Sequence, residues 1–189
     1  MQLRVTQFGE PILRQTGEQV SVFDEKLEAL VADMVDTMYA EEGVGLAAQQ
    51  VGKALMLCVV DVSHLPDEEL DYQLDGKRPP IDLVMPMALV NPVVRTLPAK
   101  QVWGDEGCLS FPGIRGDVPR ADSIEVTFQD VKGHPRRLSC SGWFARVVQH
   151  EVDHLNGVLF IDHMDKRRVR MLESKLKKLK RESRRSSNP

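Results

Sequence analysis

The chain has 189 residues, of which 28% are charged and 42% hydrophobic, a balance typical of one soluble globular domain. The net charge of −3 hides an asymmetry, because residues 166–189 carry 11 basic and 2 acidic side chains while residues 1–165 carry 14 and 26. A body at −12 excludes a uniformly basic nucleic-acid binder, and no DNA partner is expected. The tail at +9 could still contact phosphate groups.

Hydropathy and cysteine content predict a cytoplasmic protein. No apolar run reaches the roughly 20 residues that a membrane span needs, and residues 1–11 lack a charged segment followed by an apolar one. We therefore expect neither a membrane partner nor a secretion signal. The three cysteines, Cys58, Cys108 and Cys140, are an odd number, which argues against a disulfide framework.

The first half of the chain contains one predicted helix and two predicted strands. Asp24 can cap a helix whose apolar residues recur at helical spacing as far as Gly43. Residues 54–62 are almost continuously apolar and β-branched, which predicts a strand buried on both faces. Residues 63–82 are polar, acidic and proline-rich, so we expect a surface excursion outside the core. A strand is expected over residues 88–96.

The second half begins with a predicted hairpin. Residues 123–130 alternate in polarity, and a turn directs the chain towards a second strand at 137–140. Ser141 is a candidate cap for a helix over residues 142–155 that Asn156 and Gly157 can end.

The C-terminal part is predicted to be a strand and a basic helix. Residues 158–161 are expected to form the short strand, and residues 165–181 an amphipathic helix, followed by a frayed tail at 184–189. Helices and mostly antiparallel strands in this order predict an α+β fold. We expect a catalytic domain at 1–165, with residues 166–189 as the basic helix and tail of the same domain.

Two histidines on the predicted helix indicate a metal site. His150 and His154 are four residues apart, so both imidazoles lie on one face and can reach a single ion. Glu151 stands between them on an otherwise apolar stretch, where an unpartnered polar cluster would be costly. The alternative is a pair of histidines that only satisfy local hydrogen bonds.

A catalytic metal needs a third protein ligand, and the sequence offers two candidates. A familiar continuation of the histidine motif would place a third histidine where Phe160 stands, so that pattern fails. His163 is possible, but Cys108 in a small, turn-prone segment is the better candidate. Cys58 and Cys140 fall in strand patterns and are expected to be buried hydrophobic residues.

The segment 43–50 (GVGLAAQQ) is a weaker signal when taken alone. Glycines at Gly43 and Gly45 would let a backbone approach a ligand closely, and Gln50 can donate an amide hydrogen bond. The alternative is a helix end that runs into a turn of small residues.

Together, the segments 43–50, 106–110 (EGCLS) and 150–154 (HEVDH) resemble the three signature motifs of the peptide deformylases, in the same order. The segment 11–14 (PILR), the hairpin and the basic C-terminal helix are also similar to bacterial members of that family. The resemblance therefore covers nearly the whole chain.

The resemblance implies removal of the N-formyl group from formyl-methionine at the start of nascent polypeptides, with release of formate. It implies that Cys108, His150 and His154 hold one divalent metal, natively Fe²⁺, which Zn²⁺, Ni²⁺ or Co²⁺ can replace. The ligand types alone would favour zinc. It further implies that the basic C-terminal helix docks on ribosomal RNA.

Roles for other residues follow from the same resemblance. Glu151 would be the general base and acid, and the Gln50 amide and the Leu109 N–H would stabilise the oxyanion. The backbone of three residues would pair with the substrate peptide in strand fashion: Val44, Gly45 and Gly107. Asp153 is a candidate for orienting a ligand histidine.

Two positions depart from what is expected around the methionine pocket. Gly104 and Arg146 stand where bacterial members commonly carry aliphatic side chains. The favoured interpretation is that the Arg146 stem packs while its guanidinium reaches solvent or pairs with an acid. The alternative is a pocket of altered preference, in which Trp143 fills the space at Gly104.

Two other functions fit parts of the sequence. A metalloprotease would share the paired histidines, but Phe160 and the cysteine motif argue against it. A non-catalytic ribosome-binding protein with a structural metal would usually have four protein ligands, and only three are nominated.

Overall fold

The structure is a computed structural model that describes residues 1–97 and 100–186. Six antiparallel strands form the main sheet in the order β1-β2-β4-β7-β8-β3, and β5 and β6 form a separate antiparallel hairpin. The predicted α+β fold is therefore confirmed. The strands are β1 (Gly45–Ala47), β2 (Leu57–Val60), β3 (Tyr72–Leu74), β4 (Met87–Thr96), β5 (Gln101–Gly107), β6 (Arg115–Ala121), β7 (Ser123–Gln129) and β8 (Pro135–Ser141). The α-helices are α1 (Glu25–Ala40), α2 (Gly142–Leu155), α3 (Phe160–His163) and α4 (Lys166–Ser186).

Strand β2 lies in the middle of the core, which explains its unbroken apolar sequence. Its alternate side chains point to opposite faces, so Cys58 and Val60 pack in one cluster with α2 while Leu57 and Val59 pack in another with α1. All four residues of β2 are completely buried. The strand buried on both faces is thus confirmed, and it holds α2 against the sheet.

The ends of the two long helices follow from local chemistry. Asp24 accepts hydrogen bonds from the backbone N–H groups of Lys26 and Leu27, as its position predicted. Helix α2 ends before Gly157, which adopts a left-handed φ of 70°. The predicted cap at Ser141 is wrong, because its hydroxyl donates to Asp71 Oδ2 (2.9 Å) instead of capping the helix.

The segment 63–82 is not the surface excursion that its polarity predicted. Within it, β3 pairs with β8 and extends the sheet. Leu70, Tyr72, Leu74 and Ile81 are all buried in the main core cluster. The sequence pattern was misleading because the few apolar residues of this segment are separated by many polar ones.

The strand predicted at 158–161 is a short helix, α3. The Asp162 carboxylate accepts a hydrogen bond from the Leu159 N–H (2.8 Å), which begins the helical turn. Helix α4 follows and places Leu176 in a core cluster with α3 and the N-terminal segment. Because α4 continues to Ser186, the frayed tail predicted over 184–189 is wrong for residues 184–186, and residues 187–189 lie outside the described part of the chain.

The β5–β6 hairpin was not predicted from the sequence. Its most deeply buried charged side chains are Glu106 and Arg120, which form an ion pair. Buried charges invert the polarity pattern by which a strand is recognised. The hairpin positions the segment that follows β5, and that segment carries Cys108. None of the described helices is long and apolar enough to cross a membrane.

Candidate active site

Helix α2 and the turn after β5 bring the three nominated metal ligands together. One ligand atom from each of Cys108, His150 and His154 lies within 4.8 Å of the others, and Cys108 Sγ is 3.3 Å from His154 Nε2. The two histidine rings are 5.0 Å apart, one turn of α2 from each other. His163, the other candidate ligand, does not belong to this group.

The chemistry of these donors fits a divalent transition metal. Thiolate sulfur and imidazole nitrogen both bind such ions, and three protein ligands leave a fourth position open for water or substrate. His150 uses Nδ1 for a hydrogen bond to Glu106, which leaves its Nε2 for an ion. Among the described residues, the buried Glu151 Oε2 has no hydrogen-bond partner. A buried carboxylate oxygen without a partner indicates a group that a bound ion, water or substrate would satisfy.

Burial and neighbouring charged groups together shift the pKa values of this cluster. Burial lowers the pKa of His154 well below its usual value, which favours the neutral form that binds metals. Burial also raises the pKa of Glu151 to about 7. For His150, the neighbouring Cys108 and Glu106 outweigh burial and raise the pKa. A carboxyl group with a pKa near 7 can both take and return a proton at neutral pH.

Gly45 makes room for the Glu151 carboxylate. A Cβ atom at Gly45 would lie 2.7 Å from Glu151 Cδ and 2.8 Å from its Cγ, which is far inside normal carbon contact distance. A glycine is therefore needed at position 45 to leave space for the Glu151 side chain, whether or not the substrate also approaches its backbone.

Gln50 is buried beside the cysteine. Its Oε1 accepts from the Ala47 N–H (2.8 Å), which fixes the amide so that Nε2 points to Cys108 Sγ (3.4 Å) and Ser110 Oγ (3.3 Å). Leu109 follows the cysteine and lines the same cleft. The two residues nominated for oxyanion stabilisation therefore flank the ligand group.

Glu106 organises the centre, although the sequence assigned it no role. Its carboxylate accepts from Arg120 Nε (2.9 Å) and Nη2 (3.0 Å), from Arg146 Nη1 (2.8 Å), and bonds to His150 Nδ1 (2.9 Å). These bonds outweigh burial and lower the pKa of Glu106 to about 2. The only sequence signal was its place in the motif two residues before Cys108.

Asp153 does not orient a ligand histidine directly, so that prediction is wrong. The Asp153 carboxylate bonds to Arg120 and to His163 Nε2 (2.8 Å). Although Asp153 is next to His154 in sequence, its side chain points to a different side of α2.

Arg146 is buried at the wall of the cleft. Besides Glu106, its guanidinium donates to the carbonyl oxygens of Val102 (2.7 Å) and Val118 (2.9 Å). The predicted pairing with an acid is confirmed, and the predicted reach to solvent is wrong. A Cβ at Gly104 would lie 2.9 Å from Arg146 Cζ, so the guanidinium, and not Trp143, occupies the space at that glycine.

A cleft of about 510 Å³ opens onto the ligand group. Strand β1 forms one side and is the last strand of the main sheet, so no strand among the described residues pairs with its outer edge. The end of β5 forms the other side. The nominated peptide-binding residues are on these two sides: Val44, Gly45 and Gly107.

Comparison with known proteins identifies relatives over almost the full chain. Residues 2–170 match the protein-family model described as polypeptide deformylase. Peptide deformylase of Opitutus terrae is 47% identical over 180 residues, covering 95% of this chain and 93% of that protein. Peptide deformylase of Methylacidiphilum infernorum is 41% identical over 183 residues, covering 96% and 94%.

Solved structures give the same result. The crystal structure of peptide deformylase from Thermus thermophilus has a TM-score of 0.81 at 34% identity and covers 96% of this chain and 99% of that one. The Thermotoga maritima peptide deformylase has a TM-score of 0.74 at 36% identity, covering 87% and 99%.

An α+β fold built around a helix with two histidines, a nearby cysteine and a buried carboxyl group defines a metal-dependent hydrolase. Within that class, the chain belongs to the polypeptide deformylase family. The family and the enzyme class expected from the three motifs are confirmed.

Proposed function

We propose that this enzyme removes the N-formyl group from the formyl-methionine of newly synthesised polypeptides and releases formate. The observation that carries the proposal is the placement of Glu151, which is buried, has no hydrogen-bond partner at Oε2 and lines the same cleft as the metal-ligand candidates Cys108 and His150. The names of the relatives support the same reaction.

Cys108, His150 and His154 would hold the metal. When bound, a divalent ion polarises a carbonyl group and acidifies water, which makes amide hydrolysis feasible at neutral pH. We propose Fe²⁺ as the native ion, on the basis of the resemblance to the family. The same ligands would also accept Zn²⁺, Ni²⁺ or Co²⁺.

The remaining residues would move the proton and stabilise charge. Glu151 would accept a proton from the attacking water and deliver it to the departing amine, a use that its pKa of about 7 supports. The Gln50 Nε2 group and the Leu109 backbone N–H would donate to the carbonyl oxygen as it becomes negative.

The substrate peptide would bind along the open edge of β1. The backbone of Val44, Gly45 and Gly107 would form hydrogen bonds of the strand type, which recognise a main chain without selecting its sequence. This mode suits an enzyme that must accept many different nascent chains.

Two substrates separate this function from a metalloprotease. The proposal predicts formate release from formyl-Met-Ala and no cleavage of casein, and casein cleavage without formate release would refute it. The variant Glu151→Ala separates the enzyme from the other alternative, a non-catalytic ribosome-binding protein with a structural metal. We expect the variant to retain metal and lose deformylation, by about 10²- to 10⁴-fold.

We also propose that the enzyme acts in the cytoplasm and docks on ribosomes through α4. Free cysteines at Cys58, Cys108 and Cys140 support a reducing compartment. The exposed basic residues of α4 support binding to ribosomal RNA phosphates, which would be sensitive to salt. Residues 1–165 would be the catalytic part and 166–189 the docking part of one domain.

Removing α4 would not test the docking cleanly, because Leu176 belongs to a core cluster. Charge reversal on its exposed face avoids this problem. We expect Arg167→Glu/Arg170→Glu/Lys178→Glu to weaken cosedimentation with ribosomes, whereas Lys53→Glu/Lys77→Glu/Lys100→Glu, with the same change in net charge, should not. Equal loss in both triple variants would indicate a nonspecific charge effect and contradict the proposal.

A further inference from the structure

A second cavity lies beside α2 and shares no lining residue with the substrate cleft. It has a volume of about 360 Å³ and is lined in part by Arg120, Gln149, Asp153 and His163. None of these four residues lines the substrate cleft. The deformylase mechanism described above assigns this cavity no task.

Hydrogen bonds connect this cavity to the metal centre. His163 Nε2 is 2.8 Å from Asp153 Oδ2, and the same oxygen accepts from Arg120 Nη1. Arg120 donates its other two groups to Glu106, which in turn bonds to His150 Nδ1 (2.9 Å). These hydrogen bonds form one continuous network that runs from His163 to the metal-ligand candidate His150.

The exposure of these side chains to solvent shows which hydrogen bond of the network is most easily broken. Arg120 and Glu106 are 5% and 3% exposed, whereas Asp153 is 24% and His163 36% exposed. Water cannot replace the buried hydrogen bonds between Arg120 and Glu106, but the more exposed Asp153 carboxylate could rotate into the open cavity. The hydrogen bond from His163 holds that carboxylate on Arg120.

The ion pair between Asp153 and Arg120 balances the buried charges beside the metal centre. Glu106 faces two guanidinium groups, those of Arg120 and Arg146, and Asp153 supplies the second negative charge. If Asp153 turned away, Arg120 would keep an unpaired donor in a buried position, and the arginine would shift to satisfy it. That shift would move Glu106 and with it the ring of His150.

We propose that His163 is a positioning residue of the metal centre, which acts through Asp153, Arg120 and Glu106 to hold His150 in its ligand geometry. The inference rests on the proposed metal-dependent function. His163 is therefore not a ligand, as the sequence had allowed, but a residue joined to the ligand His150 through four successive hydrogen-bonded contacts.

The test measures how fast the protein loses its metal. Protein loaded with Co²⁺ is mixed with excess EDTA, and release is followed by the visible absorbance of the bound ion. Residues that contact a ligand directly affect metal affinity by about 10- to 100-fold. We expect His163→Ala to accelerate release by roughly threefold to tenfold, because it is further away. His163→Gln, whose amide can donate to Asp153, should stay within about twofold of the wild type.

His134 provides a matched control. It also pairs with an aspartate, with Nδ1 3.1 Å from Asp130 Oδ2, but it lies in the β7–β8 turn and has no connection to the ligands. His134→Ala should release Co²⁺ at the wild-type rate. Equal acceleration by His134→Ala and His163→Ala would overturn the inference.

A double-mutant cycle separates positioning from a local structural effect. If His163 acts through Asp153, then His163→Ala should change nothing further in an Asp153→Asn background. The same acceleration in both backgrounds, or a His163→Ala release rate within twofold of wild type, refutes the inference. Formate release by the wild-type enzyme is measured separately: its absence refutes the proposed function, whereas unchanged Co²⁺ release refutes only the role of His163.

Discussion

Substitution of Gly45 by alanine tests what this glycine does. A Cβ atom there would lie 2.7 Å from Glu151 Cδ, whereas carbon atoms in contact are about 3.5 Å apart or more. The Glu151 carboxyl group would therefore have to move by roughly 0.8 Å. Glu151 is only 4% exposed, so the displacement cannot be absorbed by solvent.

We expect Gly45→Ala to lower kcat by about 100-fold, because misplacement of a reacting group by 1 Å can cost that much. This corresponds to about 2.7 kcal/mol of lost transition-state stabilisation. KM should change much less, since the clash is with the proton carrier and not with the peptide. Steady-state kinetics on formyl-Met-Ala, normalised to bound metal, measure both constants.

Gly17→Ala is the control for steric damage away from the cleft. Its Cβ would lie 2.5 Å from the Leu55 carbonyl carbon, so the protein should lose stability but keep its kcat per folded molecule. If Gly45→Ala instead raises KM and leaves kcat within threefold, then Gly45 serves only substrate approach and the steric reasoning is wrong.

Three further predictions concern α4, the cleft wall and alkaline pH. Leu176→Ala should destabilise the protein by about 2–3 kcal/mol in urea unfolding, because α4 is part of the core; a change under 0.5 kcal/mol would show that α4 is only docked. Since the guanidinium of Arg146 is engaged by Glu106 and two carbonyls, the wild-type enzyme should prefer formyl-Met over formyl-Ala peptides; equal turnover would support the altered pocket. The neutral Tyr39 hydroxyl donates to Asp61, and burial and this bond raise its pKa to about 12. The contribution of this hydrogen bond to stability is complete below pH 10 and is lost as the pH rises through about 12. The difference in tyrosinate absorbance between wild type and Tyr39→Phe during a pH titration measures the pKa of Tyr39, and titration at the usual pKa of tyrosine would contradict the prediction.

The predictable parts of the fold are those in which one apolar pattern decides the structure. Residues 54–62 and 123–130 follow strand patterns, and α1 follows a helical one, so each element could be predicted from its own segment. Segment 63–82 could not, because β3 is only three residues long and is stabilised by its pairing with β8. The β5–β6 hairpin was missed because its interior holds an ion pair in place of apolar side chains.

The same distinction applies to the site. His150 and His154 were predictable because four-residue spacing on a helix fixes their common face. The Glu106 network was not, since it joins β5, β6 and α2 across more than 40 residues of sequence to His150. The adjacency of Asp153 to a ligand was misleading, because neighbouring residues of a helix point in different directions. Contacts between elements are decided by tertiary packing, which one sequence does not reveal.

The central claim is that Cys108, His150 and His154 hold a metal on which deformylation depends. The most direct test is an anaerobic preparation in which formate release from formyl-Met-Ala and metal content are measured on the same sample. We predict about one iron per chain and formate release that falls in proportion as the iron is removed. Full formate release from a metal-free sample, or an iron-loaded protein that releases none, would contradict the account.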